Sequence, residues 1–413
     1  MGVDVLVIGA GAAGLAAARL LVQAGLEVRV LEARARIGGR IHTVHPRGFP
    51  VPIEAGAEFV HAAPPRLLRL LRSAGLHTRQ SVGAHLLAEG GQLRPADALW
   101  RSTQRLVGGL RGGPERSVQE AFDSASWLRR TTPDQRWMAA SFVEGFNALR
   151  LDRASLHALE GQAGDGADRV DRVVEGYGAL VRWLGRGVRV ALRSPVLQVD
   201  HGRGGVVVHT ARGRLEARAA IVTLPLAVLR QGAVRFDPML PPAKRRAIAR
   251  LATGAVVKVV VRLRAPLARQ LRGALFLHAR GQAFPTWWLP LPLARDVLVG
   301  WAAGPAADAL PGTRAAIARA AVHALGAALG ADVRAGLAGQ PLVFDWRRDP
   351  YALGAYSWVP VGEQDRRQDL AAAVGRSLFF AGEATSQEMS GTVHGAVESG
   401  CRAAGEALAA LAS

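Results

Sequence analysis

The opening segment constrains the fold more than any other part of this chain. Residues 3–8 (Val-Asp-Val-Leu-Val-Ile) form a nearly continuous apolar run, the pattern of a strand buried on both faces of a parallel sheet. Gly9, Gly11 and Gly14 follow in G-x-G-x-x-G spacing, and residues 12–24, rich in Ala and Leu, read as a helix stopped by Gly25. A second apolar strand over 28–31 ends on Glu32. Together they make a complete β-α-β unit. Gly9 permits the tight turn, Gly11 lets the backbone approach a pyrophosphate, and Gly14 lets the helix pack closely on the strand. Glu32 falls where a ribose hydroxyl needs an acceptor, and its charge repels the 2′-phosphate of NADP, which leaves FAD or NAD. A glycine-rich turn that binds nothing is the competing reading, and the ordered placement of strand, helix and acid argues against it.

With 413 residues the chain exceeds one small core, so two domains are expected. Its formal charge of +19 rests almost wholly on arginine, since lysine occurs only at Lys244 and Lys258. The basic pairs are scattered, and no helix-turn-helix, zinc-finger or RNA-binding signature accompanies them, so a solvated basic surface is expected and no specific nucleic-acid partner. A single cysteine, Cys401, excludes an intrachain disulfide and a cysteine-rich metal site. No metal is expected. Apolar stretches are broken by Arg, Gly or Pro before the roughly 20 residues a membrane-spanning helix needs. With the first strand starting at once, no signal peptide and no membrane association are expected, and the default location is cytoplasmic.

Along the chain, helical patterns dominate 64–159 (66–73, 118–127 and 134–146), which suggests a helical insertion. The apolar period then switches to two, with strands expected over 188–192, 196–200, 206–210 and 215–222 as a meander. A mixed stretch from 236 to 376 carries strands near 256–263 and 297–301 and a helix over 314–329. A strand over 377–381 and a helix from Thr392 close the chain.

The run from Glu32 through Ala33, Arg34 and Arg36 to Gly38, Gly39 and Arg40 offers more N–H groups and a guanidinium to a diphosphate. With Glu54-Ala55-Gly56-Ala57-Glu58-Phe59-Val60-His61, Val196 in Ser-Pro-Val-Leu, Thr223-Leu224-Pro225, Phe380-Ala381-Gly382-Glu383-Ala384-Thr385 and Gly391-Thr392-Val393-His394-Gly395-Ala396, the set resembles the flavin-containing amine oxidase family of monoamine oxidases, polyamine oxidases and lysine-specific histone demethylases. The resemblance is nearly full length. It implies α/β plus α+β architecture: a Rossmann-like FAD-binding domain (parallel sheet with β-meander) from residues 1–62, 168–237 and 376–413, and an inserted substrate domain of mixed sheet and helices from 63–167 and 238–375. It also implies FAD contacts at Gly9, Gly11, Ala13, Gly14, Glu32, Ala33, Arg34, Gly38, Gly39, Arg40, Gly56, Ala57, Glu58, Val196, Pro225, Trp346, Tyr351, Gly382, Glu383, Thr392, Val393 and Ala396. The start of the last helix can point N–H donors at the pyrimidine edge of the flavin, where negative charge builds on reduction.

Lys258 interrupts the apolar strand Val256-Val257-Lys258-Val259-Val260-Val261 and shares a face with Val256 and Val260. An inward ammonium is costly unless a partner or water receives it, and an edge-strand lysine in solvent is the alternative. The resemblance implies a link through water to flavin N5. Trp346, Tyr351 and Tyr356 are spaced by five; three aromatics in isolation are usually core, but the resemblance implies that the first two line the flavin and Tyr356 walls the amine site. Ala355 stands where monoamine oxidases carry the cysteine that binds flavin, so FAD should be non-covalent. Thr392 stands where many relatives carry a second cage tyrosine, and a threonine there resembles the histone-demethylase arrangement. His61 resembles a histidine near the flavin that binds substrate nitrogen or relays a proton, with a structural role equally open, and His394 reads as structural.

The activity implied is hydride transfer from the carbon beside a neutral amine nitrogen to flavin N5, hydrolysis of the imine, and reoxidation by O2 to give hydrogen peroxide, with Lys258, Tyr356, Thr392 and His61 at the reacting end. The alternatives are a related FAD enzyme acting on an amino acid, an isoprenoid or a porphyrin, and a protein with a structural flavin and a polyanion-binding surface.

Overall fold

The structure is a computed structural model, and it describes residues 2–110, 112–160 and 169–412. Its first lobe is built on an eight-stranded sheet in the order Arg189–Ala191, Val28–Leu31, Val3–Ile8, Gly213–Val222, Gly205–Thr210, Val196–Gly202, Arg235–Asp237, with Leu378–Phe380 paired to Gly213–Val222. Val3–Ile8 is parallel to both neighbours, with Val5 opposite Val28 on one side and Ala219 on the other. That central position explains the absence of alternation in its sequence, because Val5, Leu6 and Val7 are all fully buried. Helix Ala12–Gln23 packs on the sheet beside the C-terminal helix Val393–Ala412, which also contacts the sheet. Gly14 makes this packing possible, since a Cβ there would overlap the Gly9 carbonyl oxygen.

The second lobe has a seven-stranded sheet in the order Leu342–Asp345, Val256–Arg262, Val297–Ala303, Thr286–Trp288, Ala274–Ala279, Ala84–Glu89, Gln92–Pro95. Strand Val256–Arg262 is interior and antiparallel to both neighbours. Its odd positions Val257, Val259 and Val261 join the core under helix Arg314–Leu329, where Ile317, Ala321 and Leu325 pack. Strand periodicity turns Val256, Lys258 and Val260 to the other face, toward the first lobe. No helix among the described residues is long and apolar enough to cross a membrane.

Four expectations are corrected. The stretch 64–159 is not wholly helical: Ala84–Glu89 and Gln92–Pro95 complete the second sheet, because strand Ala274–Ala279 offers Ala84–Glu89 a parallel partner and Gln92–Pro95 folds back antiparallel on Ala84–Glu89. Helix Pro65–Ser73 buries Leu67 and Leu71 in the core of the first lobe, and Thr78–Gln80 pairs with Val170–Val173, so residues up to Gln80 pack with the dinucleotide lobe rather than the second. The helix expected over 118–127 is two, Val118–Phe122 and Ala125–Arg130, because the Ser124 hydroxyl accepts from Trp127 N and caps a new start. Strand Arg189–Ala191 lies outside the meander, parallel to Val28–Leu31 at the far edge of the sheet.

Candidate functional site

The first turn of helix Ala12–Gln23 has no side-chain cap, and its early N–H groups point out of the helix with no intrahelical acceptor. Gly11, at its cap, faces open space where a side chain would otherwise stand. Glu32 is buried and accepts from Ala10 N and Arg34 N, both at 2.8 Å, so the loop closes around its carboxylate, whose oxygens each keep a lone pair for a further donor. Ser194 N donates to the Glu32 carbonyl at 2.8 Å, which brings Val196 beside this end. Arg40, Pro225, Gly382 and Glu383 line one small cavity nearby. Ala13, Ala33, Gly38 and Gly39 fall on the same turns, with Gly38 N bonded to the Ala10 carbonyl at 2.8 Å.

Glu383 organises the opposite side. Its carboxylate accepts from Arg40 Nη1 at 2.9 Å, Ser357 Oγ at 2.8 Å, Ser357 N at 3.3 Å and Gly391 N at 3.0 Å. Burial would raise this acid, but the Arg40 and Arg367 charges outweigh it and hold Glu383 below the usual carboxylate range. One buried charge thereby ties together Arg40, the strand after Tyr356 and the turn before Thr392. Thr392 caps the last helix: its hydroxyl accepts from Gly395 N at 2.9 Å and donates to the Met389 carbonyl at 2.7 Å. The amides of Val393 and His394 remain outside the helix ladder. Ala396 lies one turn on, and His394 Nε2 sits 2.9 Å from Glu398.

Lys258 is 1% exposed. Its ammonium donates to the Glu54 carbonyl at 2.7 Å, the Gly56 carbonyl at 3.1 Å and Glu58 Oε2 at 2.6 Å, which accounts for its three protons. The edge-strand alternative is thus excluded. Glu58, expected among the cofactor contacts, is part of this cluster: its Oε1 accepts from Arg172 and from Trp288 Nε1 at 3.0 Å. Burial pushes Glu58 up, but Lys258 and Arg172 prevail and hold it at about 2. For Glu54 burial prevails, lifting the carboxyl to about 7 despite hydrogen bonds from Thr43 and Tyr177 and the Lys258 charge. Gly56 and Ala57 lie between these two acids, with Ala57 N bonded to the Arg40 carbonyl at 3.2 Å, and a Cβ on Gly56 would overlap that same oxygen.

The aromatic wall converges on the same segment. Trp346 Nε1 donates to the Ala55 carbonyl at 2.8 Å, and Tyr356 OH donates to the Phe146 carbonyl at 2.6 Å. The Tyr356 ring lies against Gly391, next to Thr392, and burial raises its phenol far above the usual value. The His61 imidazole meets the Phe146 ring edge-on at 5.1 Å, and burial lowers it to about 4, so it is neutral at pH 7. Tyr351 stands differently: it is 38% exposed, 5.3 Å from the Arg34 guanidinium, which also pairs with Asp349. Arg34 and Tyr351 thus bridge the two lobes.

Sequence reasoning missed Arg172, Trp288, Ser357 and Arg367. Arg367 donates to Ser357 Oγ at 2.7 Å and to the Ala384 carbonyl at 3.1 Å. None sits in a motif; a signal existed only in that buried acids such as Glu58 and Glu383 need cationic partners from somewhere.

An open glycine cradle at an uncapped helix start, a buried acid after the second strand and a second helix start with two outward amides fit the diphosphate, ribose and ring of FAD. Such a fold with such a site defines a flavoprotein oxidoreductase. A family model described as flavin-containing amine oxidoreductase matches residues 12–408. The chain is 32% identical to lysine-specific histone demethylase 1 homolog 2 of Oryza sativa subsp. japonica, over 99% of this chain and only 57% of that protein. It is 31% identical to polyamine oxidase 3 of the same species, over 97% of this chain and 88% of that one. In fold it is similar to putrescine oxidase bound to putrescine (TM-score 0.84, 23% identity, 99% of each chain) and to cyclohexylamine oxidase from Brevibacterium oxydans IH-35A (TM-score 0.84, 23% identity, 100% of each chain). The chain belongs to the flavin-containing amine oxidoreductase family, and FAD is its cofactor.

Proposed function

We propose that the protein oxidises a small organic amine at the carbon next to nitrogen. The observation that carries this reading is the convergence of Lys258, Trp346 and His61 on one segment, 54–61, with Tyr356 hydrogen-bonded to the Phe146 backbone beside His61. When bound, FAD supplies the hydride acceptor, with water hydrolysing the imine product and O2 taking the electrons to give hydrogen peroxide.

The chain's own residues supply position and charge. Tyr356, fixed by its hydrogen bond to Phe146, presents a rigid aromatic face that orients an alkyl amine. His61, neutral at pH 7, adds no cation to repel the amine and carries a nitrogen able to accept its proton. Lys258 sets its ammonium in a buried site against the Glu58 carboxylate. The Val393 and His394 amides at the N-terminal start of the last helix hold a partial positive charge where the flavin's pyrimidine edge would lie. Ala355 offers no thiol, and Cys401 lies along helix Val393–Ala412, so FAD is held without a covalent bond.

Anaerobic mixing of the yellow protein with monoamines, diamines, polyamines and amino acids is the test. Flavin bleaching by an amine, followed by peroxide on admitting air, is the expected result. Bleaching by amino acids alone, or by none of the panel, overturns it. Acid precipitation should leave all yellow colour in the supernatant.

A further inference from the structure

A second cavity, of about 360 Å³, lies away from the flavin cradle, between the loop at Ala148, the ends of strands Ala252–Thr253 and Ser357–Trp358, and the turn at Leu353 and Gly354. That volume falls in the range of small-molecule sites. Five arginines line it, Arg150, Arg153, Arg230, Arg250 and Arg347, against one carboxylate, Asp308. Two are already engaged: Arg347 by Asp345 at 2.7 Å and Arg150 by Asp152 at 3.3 Å. Of the other three, only Arg250 has a carboxylate within 4.0 Å among the described residues. Among the described residues Arg153 makes no side-chain hydrogen bond, Arg230 makes one, through Nε to the Ile248 carbonyl at 3.2 Å, and Arg250 lies 3.6 Å from Glu363. Burial and the neighbouring Arg153 charge depress Arg230, the mark of like charges held together without a counterion.

Guanidinium forks are donors that phosphate oxygens take, and Trp358 and Leu353 add apolar walls. We propose that this cavity binds a small phosphate-bearing anion, held by Arg153, Arg230 and Arg250. The site is distinct from the amine pocket but shares backbone with it: Gly254 N donates to the Tyr356 carbonyl at 2.9 Å, and Ala355 N donates to the Gly254 carbonyl at 2.8 Å.

Calorimetric titration of flavin-saturated protein, in which the dinucleotide cradle is filled, tests this with inorganic pyrophosphate and with AMP as probes. One site per chain for at least one probe is expected, weakened at least tenfold in R153Q/R230Q and unchanged in R203Q/R212Q, which removes two exposed arginines from the two turns of the first sheet's meander. Tighter pyrophosphate would identify a bare phosphate ligand, tighter AMP a nucleoside phosphate. No binding of either probe, or equal weakening in both double variants, overturns the proposal.

Discussion

A lysine inside a valine strand makes sense only with its acceptors counted. Lys258 has three protons and three protein oxygens, and the one formal charge among them, Glu58, is itself shared with Arg172 and Trp288. Replacing Lys258 by Met leaves Glu58 paired with Arg172, so the protein should fold and stay yellow, while amine-dependent peroxide formation falls by at least about tenfold through loss of a fixed positive charge; unchanged turnover would remove Lys258 from the mechanism. Glu54 supplies a pH signature. Its folded carboxyl sits at about 7, above its unfolded value, so the stability it contributes is complete below about 4.5 and is lost as pH rises through 7. Urea melts at pH 5.5 and 8 should show a loss of roughly 2 kcal/mol on this account, and E54Q should abolish that part of the slope. Of the residues placed here, the glycines, Glu32 and Lys258 were visible in the sequence. Arg172 and Arg367 were not, because an arginine among so many carries no pattern until the fold seats it beside a buried acid.

At the level of elements, patterns with a strong period were legible and short ones were not. The helix Arg314–Leu329 matches its expected bounds because Thr313 caps its start and Gly330 its end. Strands Ala84–Glu89 and Gln92–Pro95 went unread, since neither shows a clean apolar alternation and their place is set by pairing, Ala84–Glu89 with Ala274–Ala279 and Gln92–Pro95 with Ala84–Glu89. This junction holds His85 against His278 at 3.0 Å, with Trp100 stacked on His85 at 4.5 Å. Burial lowers His278 to about 3 and His85 to about 4, so both are neutral in the fold, and the stability they contribute is present above 6.5 and lost as pH falls. Relative to H278L, the native chain should lose about 1.4 kcal/mol per pH unit below 6.5 for this one histidine. Parallel acid limbs in the two proteins would contradict the assignment.

For the whole molecule, the dinucleotide lobe is stitched from distant segments, and the cofactor contacts expected from the sequence reach from Gly9 to Ala396, with Arg34–Asp349 joining the lobes. Bound FAD should therefore act as an internal clamp. At a free concentration near 100 times Kd it should add about 2.7 kcal/mol to unfolding and give one transition for both lobes. Two separated transitions in the FAD-loaded protein would mean that the lobes unfold independently. The first strand, its glycine turn and Glu32 determined the dinucleotide fold on their own, because their chemistry is local: a buried strand, a tight turn and a helix start need only near neighbours. Lys258 and the spaced aromatics likewise marked the active end. Only the tertiary structure decided what Glu58 and Glu383 do, where helix Pro65–Ser73 packs, and that five arginines meet in one cavity. Buried charges and packed faces take their partners from anywhere in the chain, and sequence distance is silent about which.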